Sequence, residues 1–162
     1  MTVAAGAAPA LARQPEAQSA PNLSTVVLAD KGVRVAGYLI DVIPAAIMAA
    51  ALGWIPIIGF MFAGFVLTAY WLLRDVTGTS LGKMVLGTKV MQADGQPASA
   101  GSRIVRNLPL IAGPICMMIP LLGYFVALPI SFLVVLVEGI LVLSQGSRIG
   151  DHLGRTIVVK TR

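Results

Sequence analysis

The chain has 162 residues, 57% of them apolar and 12% charged, with a mean hydropathy of +0.86; that balance excludes a soluble globular domain and places the chain in the membrane class. Its net charge of +5 and pI of about 9.9 would suit a nucleic-acid binder. The bases, however, are set around blocks of spanning length that hold no Lys or Arg, which excludes nucleic acid and points to membrane topology and anionic lipid headgroups. One Cys and one His give neither a disulfide framework nor a Cys/His metal site.

Residues 1–23 are mostly Ala, Pro, Gln, Ser and Gly, too poor in large apolar groups to build a core, and read as a disordered or partner-ordered tail. The tail lacks a basic start followed by an apolar core, so it does not read as a secretory signal. Residues 24–162 form the membrane domain, and the short, mildly amphipathic stretch 24–31 suits the cytoplasmic interface. The apolar block from Val35 to Leu73, about 39 residues, would be about 60 Å long as one helix, twice the hydrocarbon thickness. It must fold back on itself, and so must Leu108 to Leu143. Neither block alternates apolar and polar residues, which argues against a β-barrel. The fold class is therefore an all-α membrane protein with four transmembrane helices in two hairpins, at about 32–52, 57–73, 104–119 and 125–143.

The first span opens with Arg34 and contains Asp41 and Pro44. Helical side chains lean toward the N-terminus, which sends Arg34 toward the headgroups and leaves Asp41 about 10 Å deeper, too far for a direct pair. A carboxylate at that depth needs a partner or a proton; Arg103, Arg106 and Arg148 are the expected partners. Trp54 marks the outer turn, and Tyr70-Trp71 with Arg74-Asp75 close the second span as an inner aromatic belt at the water boundary. Pro109 and Pro114 interrupt the third span. The fourth carries Glu138 at an estimated depth near that of Asp41, so two carboxylates stand at one level.

A glycine-punctuated cassette, Gly78 to Val90, follows the first block, and a near copy, Gly146 to Val158, follows the second. The first reads as a short amphipathic helix at the membrane face, with Lys83 and Lys89 toward phosphates, then a strand at 88–92, a tight turn at Asp94-Gly95, and a helix capped by Ser99 or Ser102. Residues 156–161 are also β-prone, so a small cytoplasmic sheet joining the halves is expected. The tips match too, Ile55-Pro56-Ile57-Ile58-Gly59 against Ile119-Pro120-Leu121-Leu122-Gly123. The chain reads as a parallel internal repeat of hairpin plus cassette, an arrangement that would bring Lys83 and Asp151 together as a cross-repeat ion pair.

Arg34 to Asp41, Thr79 to Val90, Asp94-Gly95, Arg106-Asn107, and Gly150 to Leu153 with Thr156 to Val159 together resemble the signature of the RDD family of small bacterial membrane proteins. The resemblance places the family's arginine and two aspartates on Arg34, Asp41 and Asp151, and implies a multi-span helical membrane domain. At Gly154-Arg155-Thr156 the chain departs from the family's Ala-Gly-Thr type sequence.

The expected location is the bacterial inner membrane, with both termini cytoplasmic by the positive-inside rule. No phosphate-loop spacing and no catalytic serine, histidine and carboxylate set is present, so neither enzyme activity nor a cofactor or metal is expected. The expected function is a small cation or proton transporter using Asp41 and Glu138, working as a homo-oligomer. The alternative is an accessory or assembly subunit of a larger membrane complex, with Lys83, Arg106 and Asp151 as cytoplasmic ion-pair residues.

Overall fold

A computed structural model describes residues 26–161; the tail assigned to residues 1–23 lies outside them. Helix α1 spans Lys31–Gly53 and α2 spans Ile58–Leu73. The cassette helix α3, Leu81–Val85, leads into β1, Thr88–Gln92. Next come α4, Ala100–Val105, a 3-10 turn, Leu108–Ile111, and α5, Ala112–Met117. The long α6, Leu122–Gln145, the second cassette helix α7, Ile149–Gly154, and β2, Thr156–Lys160, complete the chain.

Asp30 starts α1 by accepting a hydrogen bond from the Gly32 amide at 2.8 Å, an N-cap in the usual sense. Ser99 does the same for α4 through the Ser102 amide at 3.1 Å. Two helices, Lys31–Gly53 and Phe125–Gln145, are long and apolar enough to cross a bilayer. Ile58–Leu73 and Leu108–Met117 are apolar but shorter. The third segment thus differs from the span expected at 104–119. Ile104 and Val105 belong to α4, the chain breaks at Arg106-Asn107, and Pro109 holds the first turn beyond in 3-10 form, as a missing amide donor and fixed φ favour.

The helices pack as α1 on α2, α2 on α5 and α5 on α6. Small residues permit the close approaches. A Cβ on Gly64 of α2 would stand 2.7 Å from the Pro114 carbonyl oxygen, and one on Gly113 of α5 would stand 1.7 Å from Ser131 Oγ, the kind of contact by which helices associate in lipid. The core gathers Ala45, Leu67, Trp71, Leu110 and Ile111. Trp71 is therefore a core residue rather than part of an aromatic belt. It stacks on Tyr38 at 5.6 Å between centroids and lies under the Arg74 guanidinium at 4.6 Å. Trp54, by contrast, is exposed.

The two hairpin tips adopt one conformation. Ile57 (φ 61°, ψ −72°) and Leu121 (φ 60°, ψ −55°) are each the centre of a γ-turn, closed by Ile58 N to Pro56 O at 2.8 Å and Leu122 N to Pro120 O at 2.6 Å. This turn is rare and strained for a residue with a side chain.

The strands pair antiparallel in a register that sets Val90 opposite Val158. On the other side of β2, Leu28 bridges Val159, and the backbone bonds Ala29 N to Val158 O and Lys160 N to Val27 O add to it. Residues 27–29 are thus extended edge backbone.

Each cassette strand is entered through a left-handed residue, Gly87 (φ 60°) before β1 and Arg155 (φ 49°) before β2. Glycine takes this conformation without steric cost, whereas an L side chain loses about 1–2 kcal/mol. Arg155 is exposed, so Arg155→Gly is expected to raise stability by about 1 kcal/mol, seen as a higher melting temperature in detergent. An unchanged or lower value would show that the side chain compensates the strain.

Candidate functional site

A buried ionic network occupies the end of the helices where the cassettes sit. Asp41, on α1, is 1% exposed. Its carboxylate accepts from Ser80 Oγ at 2.6 Å, the Gly82 amide at 2.7 Å and Arg74 Nη1 at 3.1 Å. Gly82 makes this possible by lying directly on α1, where a Cβ would come within 1.9 Å of the Gly37 carbonyl oxygen. The amides at the start of α3 are thereby aimed at a buried anion. Tyr70 donates to the Asp41 carbonyl oxygen at 2.7 Å, a bond that binds α2 to α1.

Lys83 points inward from α3. Its Nζ bonds Asp75 Oδ1 at 2.6 Å and Ser80 Oγ at 3.0 Å, while Leu81, Met84 and Val85 face outward and are exposed. The helix is thus turned relative to expectation, with apolar side chains on its exposed face and the ammonium within. Asp75 also accepts from Asn107 Nδ2 at 3.3 Å, and Asn107 Oδ1 accepts from Arg148 Nη2 at 3.1 Å. Asn107 therefore joins the two halves of the network.

The second half centres on Asp151, at the start of α7. Its carboxylate accepts from Arg34 Nη2, from Arg106 Nη2 at 2.6 Å, and from Arg148 Nε at 3.4 Å. Arg34 also donates to the Gly146 carbonyl oxygen, and Lys31 Nζ to those of Leu143 and Ser144 at 2.9 and 2.8 Å. The start of α1 thereby caps the carbonyl end of α6, where cations are favoured. Gly150 lies on the backbone of Arg106, where a Cβ would come within 1.8 Å of its carbonyl oxygen. Its amide donates to Glu138 Oε1 at 3.3 Å. Glu138 Oε2 is buried without a hydrogen bond among the described residues, with Arg148 Nε 4.0 Å away.

Several residues thus sit differently from where the sequence points. Asp41 is held by Arg74, not by Arg103, Arg106 or Arg148. Arg34 turns inward to Asp151 rather than out to headgroups. Lys83 pairs with Asp75 and not with Asp151, because α3 packs on α1 and α7 on α4, which keeps the two side chains in separate halves. Arg106 does pair with Asp151. Asp41 and Glu138 line one cleft of about 180 Å³, together with Arg34, Arg74, Arg106 and Arg148. Sequence reasoning does not pick out Arg74, Asp75, Ser80 or Asn107 as site residues. The signal for them is a charged or polar side chain at the margin of a long apolar block, where burial demands a partner.

Burial raises the carboxyls of Asp75 and Asp151, but neighbouring cations outweigh it. Lys83, Arg74 and Arg106 hold Asp75 well below the usual carboxylate range, and Arg106, Arg148 and Arg34 bring Asp151 down to about 2. Burial pushes the Lys83 ammonium down to about 7 against the attraction of Asp75. A depressed folded-state carboxyl contributes stability that is present above its unfolded value, about 4, and is lost as pH falls through the folded value. Asp151 alone is worth about 2 kcal/mol in this way. The melting temperature is expected to drop steeply between about pH 4 and pH 2; a flat profile there would contradict the pairing.

Apolar helices with large exposed side chains, over a buried ionic network at one end, are compatible with a helical membrane protein. A model of the family described as the RDD family matches residues 26–154, and the chain belongs to that family. No curated protein and no solved structure matches it. Arg34, Asp41 and Asp151, the positions carrying the family's arginine and aspartates by resemblance, all lie in the network, and Arg34 and Asp151 bond each other.

Proposed function

We propose that the chain is a proton-linked transporter of the bacterial inner membrane, with four membrane segments, both termini cytoplasmic and Glu138 as the proton-carrying group. One observation carries the reading: Glu138 Oε2 is buried on the cleft wall with no hydrogen bond among the described residues. A carboxylate oxygen without a donor is where a proton is most readily held. Asp41 has a different task. Three donors and near-complete burial hold its side chain in place, which supports a role in architecture rather than in moving an ion. The expected cation role of the two carboxylates thereby narrows to proton handling by one.

The topology is supported by the bases, which gather beside the cassettes, and by charge-free tips. A parallel repeat is supported by the matching γ-turns, by glycines seating each cassette helix on the helix that opens its own unit, and by the left-handed residue before each strand. The cleft is small, so the transporting unit is proposed to be a homo-oligomer.

The test is proton movement into proteoliposomes under an imposed gradient, followed with an enclosed pH dye. Wild-type protein is expected to move protons and Glu138→Gln to lose most of that movement while melting normally. Equal rates in the two would end the reading. The sealed state of Asp41 favours a second reading, an accessory subunit whose carboxylates are structural ties. Intact-complex mass spectrometry of the native particle separates them, since a stoichiometric foreign companion supports the subunit and copies of this chain alone support the transporter.

A further inference from the structure

The cleft is bounded by α1 and α6, and its two ends differ in chemistry. Leu39 of α1 and Val135 of α6 line it and are 60% and 39% exposed, so it opens sideways between the helices toward the surrounding lipid. Val142 and Leu110 line it further in. At the polar end are Arg34, Arg74, Arg106, Arg148 and Lys83, facing Asp41 and Glu138. Over the whole network five cations meet four carboxylates, Asp41, Asp75, Glu138 and Asp151. One positive charge is left over in a buried place, where an uncompensated charge is costly.

The donors are also incompletely used. Among the described residues Arg106, 1% exposed, bonds only through Nη2, to Asp151; its Nε and Nη1 are buried without partners there, and so is Nε of Arg74. Each of these N–H groups is a charge-assisted donor of the kind a phosphate oxyanion accepts. Fully buried arginine donors normally find acceptors. Glu138 stands on the same wall, and its Oε2 would repel an anion unless it carried a proton.

We propose that this cleft binds a phosphate-bearing amphiphile, the anionic headgroup drawn to the surplus positive charge and unpartnered donors of Arg106 and an acyl chain leaving sideways along Leu39 and Val135. The site is distinct from the general attraction of exposed bases such as Lys89 to a charged membrane surface, because its donors are buried and its wall is apolar. The inference rests on the reading of this cleft as the working site. Binding is measured without proton movement, so either proposal can fail while the other stands. A protonated Glu138 admits the headgroup and an ionised one disfavours it, which would link the two if both hold.

The test uses the full chain in mild detergent. Melting temperature and lipid adducts in intact-mass spectra are recorded with phosphatidylglycerol, phosphatidylcholine or inorganic phosphate added. Phosphatidylglycerol is expected to raise the melting temperature and to remain as one adduct per chain, with no effect of phosphatidylcholine. Val135→Trp, which blocks the chain's path without touching the ionic network, is expected to weaken that adduct about tenfold. Arg106→Lys is expected to weaken it similarly. If this variant fails to fold, Val135→Trp still decides. Three results would overturn the proposal: equal retention of both lipids, a phosphatidylglycerol adduct untouched by Val135→Trp, or inorganic phosphate alone matching the stabilisation, which would leave a free-phosphate site with no role for a chain.

Discussion

Asp151→Asn is expected to remove about 3–5 kcal/mol of stability, the cost of leaving buried charges without their counter-ion. Asp151 is 3% exposed and faces three guanidiniums, those of Arg34, Arg106 and Arg148. Neutralising the one carboxylate they share turns mutual compensation into repulsion. The shape of the side chain is unchanged, so the loss is electrostatic. Asp94→Asn makes the matching control, because Asp94 is exposed in a turn and accepts only from the Gln96 amide at 2.9 Å; surface changes of this kind stay within about 0.5 kcal/mol. Unfolding by denaturant in detergent compares the two. Equal midpoints would remove Asp151 from the centre of the network.

Gly82→Ala and Gly150→Ala are expected to be damaging for a steric reason, each by about 3 kcal/mol. The added carbon would sit 1.9 Å from the Gly37 carbonyl oxygen in the first and 1.8 Å from that of Arg106 in the second. Backbone atoms of a packed helix cannot step aside as a side-chain tip does, so the cassette helix must lift. Lifting α3 pulls the Gly82 amide and the Ser80 hydroxyl away from Asp41, and lifting α7 pulls the Gly150 amide from Glu138. Gly139→Ala is the contrasting case. It lies within α6 with no atom within 4 Å of the new carbon, so the helix gains about 0.5–1 kcal/mol from the lost chain entropy of the unfolded state. Melting temperatures for the three variants should split in that order, and a Gly82→Ala protein as stable as wild type would mean that α3 does not rest on α1.

The parts of this architecture that depend on neighbours along the chain are legible in the amino-acid sequence. Strands at 88–92 and 156–160, the cap at Ser99 and the fold-back near Trp54 follow from local chemistry: side-chain alternation, an N-cap oxygen, the length of an apolar run. The ionic network is legible only as a set of ingredients. Arg34 and Asp151 stand 117 residues apart, and nothing in local pattern says which of several arginines a buried carboxylate will meet. Lys83 shows the limit most plainly. Flanked by Leu81, Met84 and Val85, it reads as a charge on the outer face of an interfacial helix. The real orientation is decided by Gly82, which must lie against α1 and so carries its neighbour Lys83 in toward Asp75. Trp71 reads as an interfacial anchor for the same reason, since the Arg74 guanidinium that covers it is positioned by Asp41 on another helix.

The long-range bond between Arg34 and Asp151 also bears on how the protein is made. Asp41, Arg74, Ser80 and Gly82 all lie within the first unit, so that half of the network can close as soon as the chain has been synthesised through α3. Arg34 and Arg106 cannot be neutralised by Asp151 until that residue, 117 positions after Arg34, has been made. A nascent chain therefore waits in the bilayer with two unmatched guanidiniums, and a product broken off before α7 keeps them permanently. Charge left open in lipid is costly, so the closing of one salt bridge makes the stability of the first unit depend on the synthesis of the second.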